Sequence, residues 1–157
     1  MKKLIPEIRI SYSGKQTESQ KITNSRSVFN VFYRSWSQKT IEIQEEFKVL
    51  LLNNANEVLG IFQLSKGGMK STTVDIKLIF TVVVKTAACG IILCHNHPSG
   101  ALRPSNADIL ITSQIKSAAN IFSISLLDHI IITKKGYYSF SDNGLIIQNY
   151  LTDYATS

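Results

Sequence analysis

Cysteine is scarce in this chain: Cys89 and Cys94 are its only two among 157 residues. No Cys-x-x-Cys pair can be formed from them, which argues against a zinc deaminase, whose signature is His-x-Glu followed by Pro-Cys-x-x-Cys. The two thiols stand five positions apart in one predicted strand, and an odd spacing sends them to opposite faces, so they cannot bridge there. They read as buried thiols of a reducing compartment. Long apolar runs are also missing, and none approaches the roughly 20 residues a membrane-spanning helix needs. The opening Met1-Lys2-Lys3-Leu4-Ile5-Pro6-Glu7 holds too few apolar residues for a secretory leader. The expectation is a cytoplasmic protein with no membrane partner.

Runs of one charge are absent as well. The formal charge is +6, yet no stretch of Lys or Arg exceeds two residues, as in Lys2-Lys3 and Lys134-Lys135. Scattered basic residues describe a solvated surface, so nucleic acid is only weakly supported as a partner. With 44% hydrophobic and 18% charged residues the chain has the composition of one globular domain, long enough to bury a core.

What is present is a mixed pattern. Ile8, Ile10 and Tyr12 alternate as a short strand, and Ser13 to Thr23 is a polar loop. Asn24 or Ser25 caps a helix through about Trp36, with Val28, Val31 and Phe32 on one face. Ile41 to Leu52 and Val58 to Leu64 read as strands joined by the Asn-rich turn 53–56. Ser65 to Thr73 is a loop. Val74 to Ala88 is ambiguous, because Val82-Val83-Val84 favours a strand while the length of the apolar stretch favours a buried helix; helix is the reading adopted. Gly90 to Cys94 is a strand, Ser105 to Asn120 a helix, and Ile124 to Thr133 pairs with Tyr137 to Phe140 as a hairpin. The order predicts an α/β (α+β) fold with a mixed, largely antiparallel sheet flanked by helices.

The chemistry is concentrated in His95-Asn96-His97-Pro98-Ser99-Gly100 and Pro104-Ser105-Asn106-Ala107-Asp108. At a strand end, residues i and i+2 share a face, so the imidazoles of His95 and His97 converge. Asp108 follows eleven residues after His97, beyond a loop that Pro and Gly turn back. Two imidazoles and a carboxylate are the protein ligands of a catalytic zinc site, with a fourth position left for water. Asp108 has a competing reading, since Ser105-Asn106-Ala107-Asp108 also resembles a capping box with Asp in place of Glu. The two are compatible if Ser105 starts the helix while Asp108 faces the metal. Alternation turns Cys94 away from the histidines and into the core. It also splits Asp128 from His129, so that pair cannot ligate one ion and is assigned to structure.

The spacing His-x-His, seven residues, Ser, two residues, Asp is the signature of the JAMM metalloenzymes. With Leu126-Leu127-Asp128-His129 and Gly136-Tyr137-Tyr138-Ser139-Phe140, the chain resembles the RadC-like JAB domain from about Thr40 to Leu145. The resemblance implies a JAB/MPN (cytidine-deaminase-like) fold over residues 40–145. Residues 1–39 would then be an N-terminal strand, loop and helix extension, and 146–157 a C-terminal tail. It implies Zn²⁺ held by His95, His97 and Asp108, and hydrolysis of a peptide or isopeptide bond in a protein or peptide substrate by zinc-activated water. It further implies a Glu base at the start of an early strand, where Glu45 matches better than its neighbour Glu46, and an oxyanion-stabilising role for Ser105. The alternative is a non-catalytic JAB/MPN interaction module associated with DNA repair.

Overall fold

The computed structural model describes residue 12 and residues 20–67 and 74–146. Its elements run α1 (Ser25–Ser35), β1 (Glu46–Leu52), β2 (Val58–Lys66), α2 (Ile76–Thr86), β3 (Gly90–Asn96), α3 (Asn106–Ile121), β4 (Ser125–Thr133) and β5 (Gly136–Ser139). The five strands form one sheet in the order β2-β1-β3-β4-β5. β1 is antiparallel to β2 and β3, and β4 to β5; β3 and β4 are parallel. A parallel pair requires a crossover, and α3 supplies it.

Every residue of β1 and β3 is buried, because both faces of the sheet are covered. Phe47, Val49, Leu51, Ile91, Leu93 and Ile131 pack on one face against Ile79, Phe80 and Val83 of α2 and Ile115 and Ala119 of α3. On the other face Leu50, Leu52, Ile92, Cys94, Ile130 and Ile132 meet Val28, Val31 and Phe32 of α1. Asn24 caps α1 through a reciprocal box with Ser27. The ambiguous Val-rich stretch is helical as α2, since burying Ile79, Phe80 and Val83 on one stripe outweighs the modest helix penalty of β-branched side chains.

Two expectations need correction, and others fall outside the described residues. The strand expected from Ile41 begins only at Glu46, and residues 38–43 form turns. Ile41 is 1% exposed, so its apolar signal reported core packing without extended backbone. Cys89 is exposed and precedes β3, where its N–H bonds Leu52 O; it is not the buried strand residue the periodicity suggested. Most of the strand at Ile8–Tyr12, most of the loop at Ser13–Thr23 and residues 68–73 of the following loop lie outside the described residues.

Candidate metal centre

The site forms where β3 ends against the first turn of α3. His95 shares its face with Ile91 and Leu93 and is 1% exposed. His97 stands just past the strand, its N–H bonded to Ile132 O at 3.1 Å. The two Nε2 atoms are 2.9 Å apart. The chain then reverses through Gly100, whose φ of +81° is the left-handed region that glycine enters without strain. The reversal brings in Asp108, with Oδ1 3.2 Å from His95 Nε2 and Oδ2 3.4 Å from His97 Nε2.

Asp108 also completes the cap. Ser105 N–H donates to Asp108 Oδ2 at 2.7 Å, and Asp108 N–H donates to Ser105 Oγ at 3.1 Å. One carboxylate thus closes the helix terminus and faces the histidines. Burial works to raise its pKa, but with no metal between them hydrogen bonding to the His95 and His97 imidazoles outweighs burial and holds it well below the usual carboxylate range. For His97 burial opposes the charged form, while Asp108 and the Ala101 carbonyl more than compensate and raise its pKa.

The donor set could hold a metal ion. One ligand atom from each of His95, His97 and Asp108 lies within 4.8 Å of the others. His97 Nδ1 is 2.8 Å from Ala101 O. A carbonyl only accepts, so Nδ1 carries the hydrogen and neutral His97 turns the lone pair of Nε2 inward. That is the form a metal binds.

Glu45 and Glu46 point apart. Glu45 lies on the face of Phe47, the cross-strand partner of His95, and lines a cleft of about 710 Å³ with His97, Ser99, Arg103 and Ser105. Burial raises its pKa against the pull of His95 and His97, with Asp108 adding to the rise. Glu46 is buried on the opposite side, 3.8 Å from Lys48 Nζ and 3.6 Å from Lys66 Nζ. Its N–H donates to Asn96 Oδ1 at 2.7 Å. The exposed Ser105 stands on the cleft wall, and Cys94 packs with Ile92 and Ile130 in the core away from the histidines.

The sequence matches the RadC-like JAB domain over residues 22–145. The chain belongs to this family. Relatives of the RadC-like JAB domain, each named UPF0758 protein, come from several bacteria. That of Flavobacterium johnsoniae is 48% identical over 126 residues, covering 80% of this chain and 54% of the relative. The Porphyromonas gingivalis protein is 40% identical over 136 residues, covering 85% and 58%. The Clostridium beijerinckii protein is 45% identical over 103 residues, covering 66% and 45%. The chain therefore spans about half the length of the curated relatives it matches. No helix among the described residues is long and apolar enough to cross a membrane.

Three residues of this RadC-like JAB domain support the site without having been singled out for it in the sequence. His129 is fully buried, with Nε2 2.8 Å from His95 Nδ1 and Nδ1 2.6 Å from Thr112 Oγ1. Burial pushes its imidazole well below the ordinary histidine range. Asn96, between the two histidines, faces the other way and donates to Ile41 O at 2.6 Å and Gln44 O at 2.9 Å. It fixes the approach to β1 and hence the position of Glu45. Thr112 had a readable signal, since i+4 from Asp108 places it one turn above on the same helix face. His129 had only its alternation with Asp128, because the parallel pairing of β3 with β4 is tertiary.

Proposed function

We propose that this RadC-like JAB domain is a zinc-dependent hydrolase of peptide or isopeptide bonds. The observation that carries the reading is the convergence of His95 Nε2, His97 Nε2 and the Asp108 carboxylate beside a cleft that Glu45 and Ser105 also line. Zinc, when bound, supplies Lewis acidity and brings the pKa of water towards about 7. Glu45 takes the proton of the attacking water and returns it to the leaving amine, and its raised pKa brings it closer to the working pH of such a group. Ser105 Oγ accepts the Asp108 N–H with one lone pair and keeps its hydroxyl hydrogen to donate to the developing oxyanion.

A non-catalytic module tied to DNA would leave this convergence of five polar groups without a role. We place the activity in the reducing cytoplasm, where the free thiols of Cys89 and Cys94 persist. The test is elemental analysis of protein purified without added metal, followed by mass-spectrometric screening of linear and Lys-branched peptides. One zinc per chain is expected, with cleavage lost to a chelator and restored by Zn²⁺, and His97→Ala should bind none. Failure of the wild type to take up zinc on titration would overturn the reading.

A further inference from the structure

We propose that His129 and Thr112 form a one-way hydrogen-bond relay that fixes the tautomer of His95, making them positioning residues for the metal. The inference rests on the reading of His95 as a ligand through Nε2. Its direction follows from the far end. Thr112 Oγ1 lies 2.5 Å from the Asp108 carbonyl oxygen, which can only accept, so the single hydroxyl hydrogen points there. A lone pair of Oγ1 is then left to face His129 Nδ1 at 2.6 Å, and Nδ1 must carry a hydrogen. Neutral His129 consequently presents the lone pair of Nε2 to His95 Nδ1 at 2.8 Å. Neutral His95 therefore holds its hydrogen on Nδ1 and leaves the Nε2 lone pair for the ion that it would share with Asp108 and His97.

The relay closes on itself. It leaves one ligand, His95 of β3, crosses β4 and α3, and ends on the backbone of another, Asp108. His129 is 0% exposed, its ring stacked on Phe140 with centroids 4.6 Å apart and tilted against Phe47 at 5.6 Å, so no water competes for its nitrogens. Ligating histidines commonly lean on a carboxylate, carbonyl or water. Here a neutral imidazole backed by a hydroxyl fills that place, and the lone pair offered to the metal depends on the hydroxyl at position 112. Remove that hydroxyl and His129 is free to move its hydrogen to Nε2, which would force His95 to carry its own on Nε2, against the ion.

The chain has three histidines in all, so the imidazole ¹⁵N spectrum of the zinc-loaded protein resolves every one of them. The expected result is hydrogen on Nδ1 of both His95 and His129. Thr112→Val should weaken Zn²⁺ binding, measured by competition with a chromophoric chelator, by about 10- to 100-fold, and should shift hydrogen on His129 to Nε2. Thr112→Ser should restore both, which a role in packing alone would not produce. Zinc binding by Thr112→Val at wild-type strength, or hydrogen on His129 Nε2 in the wild type, overturns the relay and leaves the metal centre standing. A wild type that takes up no zinc overturns both. Should Thr112→Val not fold, the wild-type spectrum alone decides.

Discussion

Glu45→Gln and Glu46→Gln remove the same charge one residue apart and should fail in opposite ways. Glu45 lines the cleft, and its proposed work is proton transfer, so glutamine keeps its shape and deletes that function. General-base contributions are typically about 10²–10⁴ in rate, or about 3–5 kcal/mol of barrier. Zinc content and melting temperature should stay at wild-type values. Glu46 sits 3.8 Å from Lys48 Nζ, with side chains 4% and 7% exposed. Breaking a buried pair that has no other partner costs about 3–5 kcal/mol. Lys48 keeps two other contacts, the Ser35 carbonyl at 2.8 Å and the Trp36 ring at 4.1 Å. The loss should therefore fall to about 1–3 kcal/mol, nearer that of a buried polar group left short of a partner, with turnover retained by the folded fraction. The assay is zinc analysis, thermal unfolding and peptide cleavage of the three proteins in parallel. Wild-type turnover in Glu45→Gln, or loss of its zinc, would refute the division of labour between the two carboxylates.

Asn96→Ala should cost at least about 3 kcal/mol, since Glu46 N–H and the carbonyls of Ile41 and Gln44 lose their partner together; a chemical-denaturation loss below about 1 kcal/mol would contradict it. Ser105→Ala should lose about 0.5–2 kcal/mol of helix capping and about 10²-fold in turnover. Ser105→Asn should recover the stability and not the turnover, and recovery of both would remove Ser105 from the chemistry. The metal-free protein should show a pH signature from His97. Its folded-state pKa is raised, so its stabilising contribution is complete below the unfolded value of about 6.5 and is lost as pH climbs through the folded value. The melting-temperature advantage of wild type over His97→Gln in chelator should shrink on raising pH through neutrality, and an advantage that grows would refute the assignment.

Whatever depends on local period and spacing was legible in the residues alone. Two histidines at i and i+2 converge whatever lies around them, and Ser105 and Asp108 cap α3 because the motif is confined to one helical turn. Alternation was enough to turn Cys94 away from His95 and to separate Asp128 from His129, since strand side chains change face at every residue. Glu45 was favoured over Glu46 by resemblance; which of the two faces the cleft is a tertiary matter, since β1 pairs Phe47 with His95 and Asn96 ties the backbone of Glu46 to the far side. The length of β1 was misjudged at Ile41 because burial and extended backbone give the same apolar signal along a sequence. Exposure of Cys89 depended likewise on where pairing begins. The relay through His129 and Thr112 joins residues 34 and 17 positions apart. No local period encodes it; it exists because α3 carries the chain across to a strand parallel to β3, and only that crossover sets an imidazole of β4 between His95 and the helix that carries Asp108.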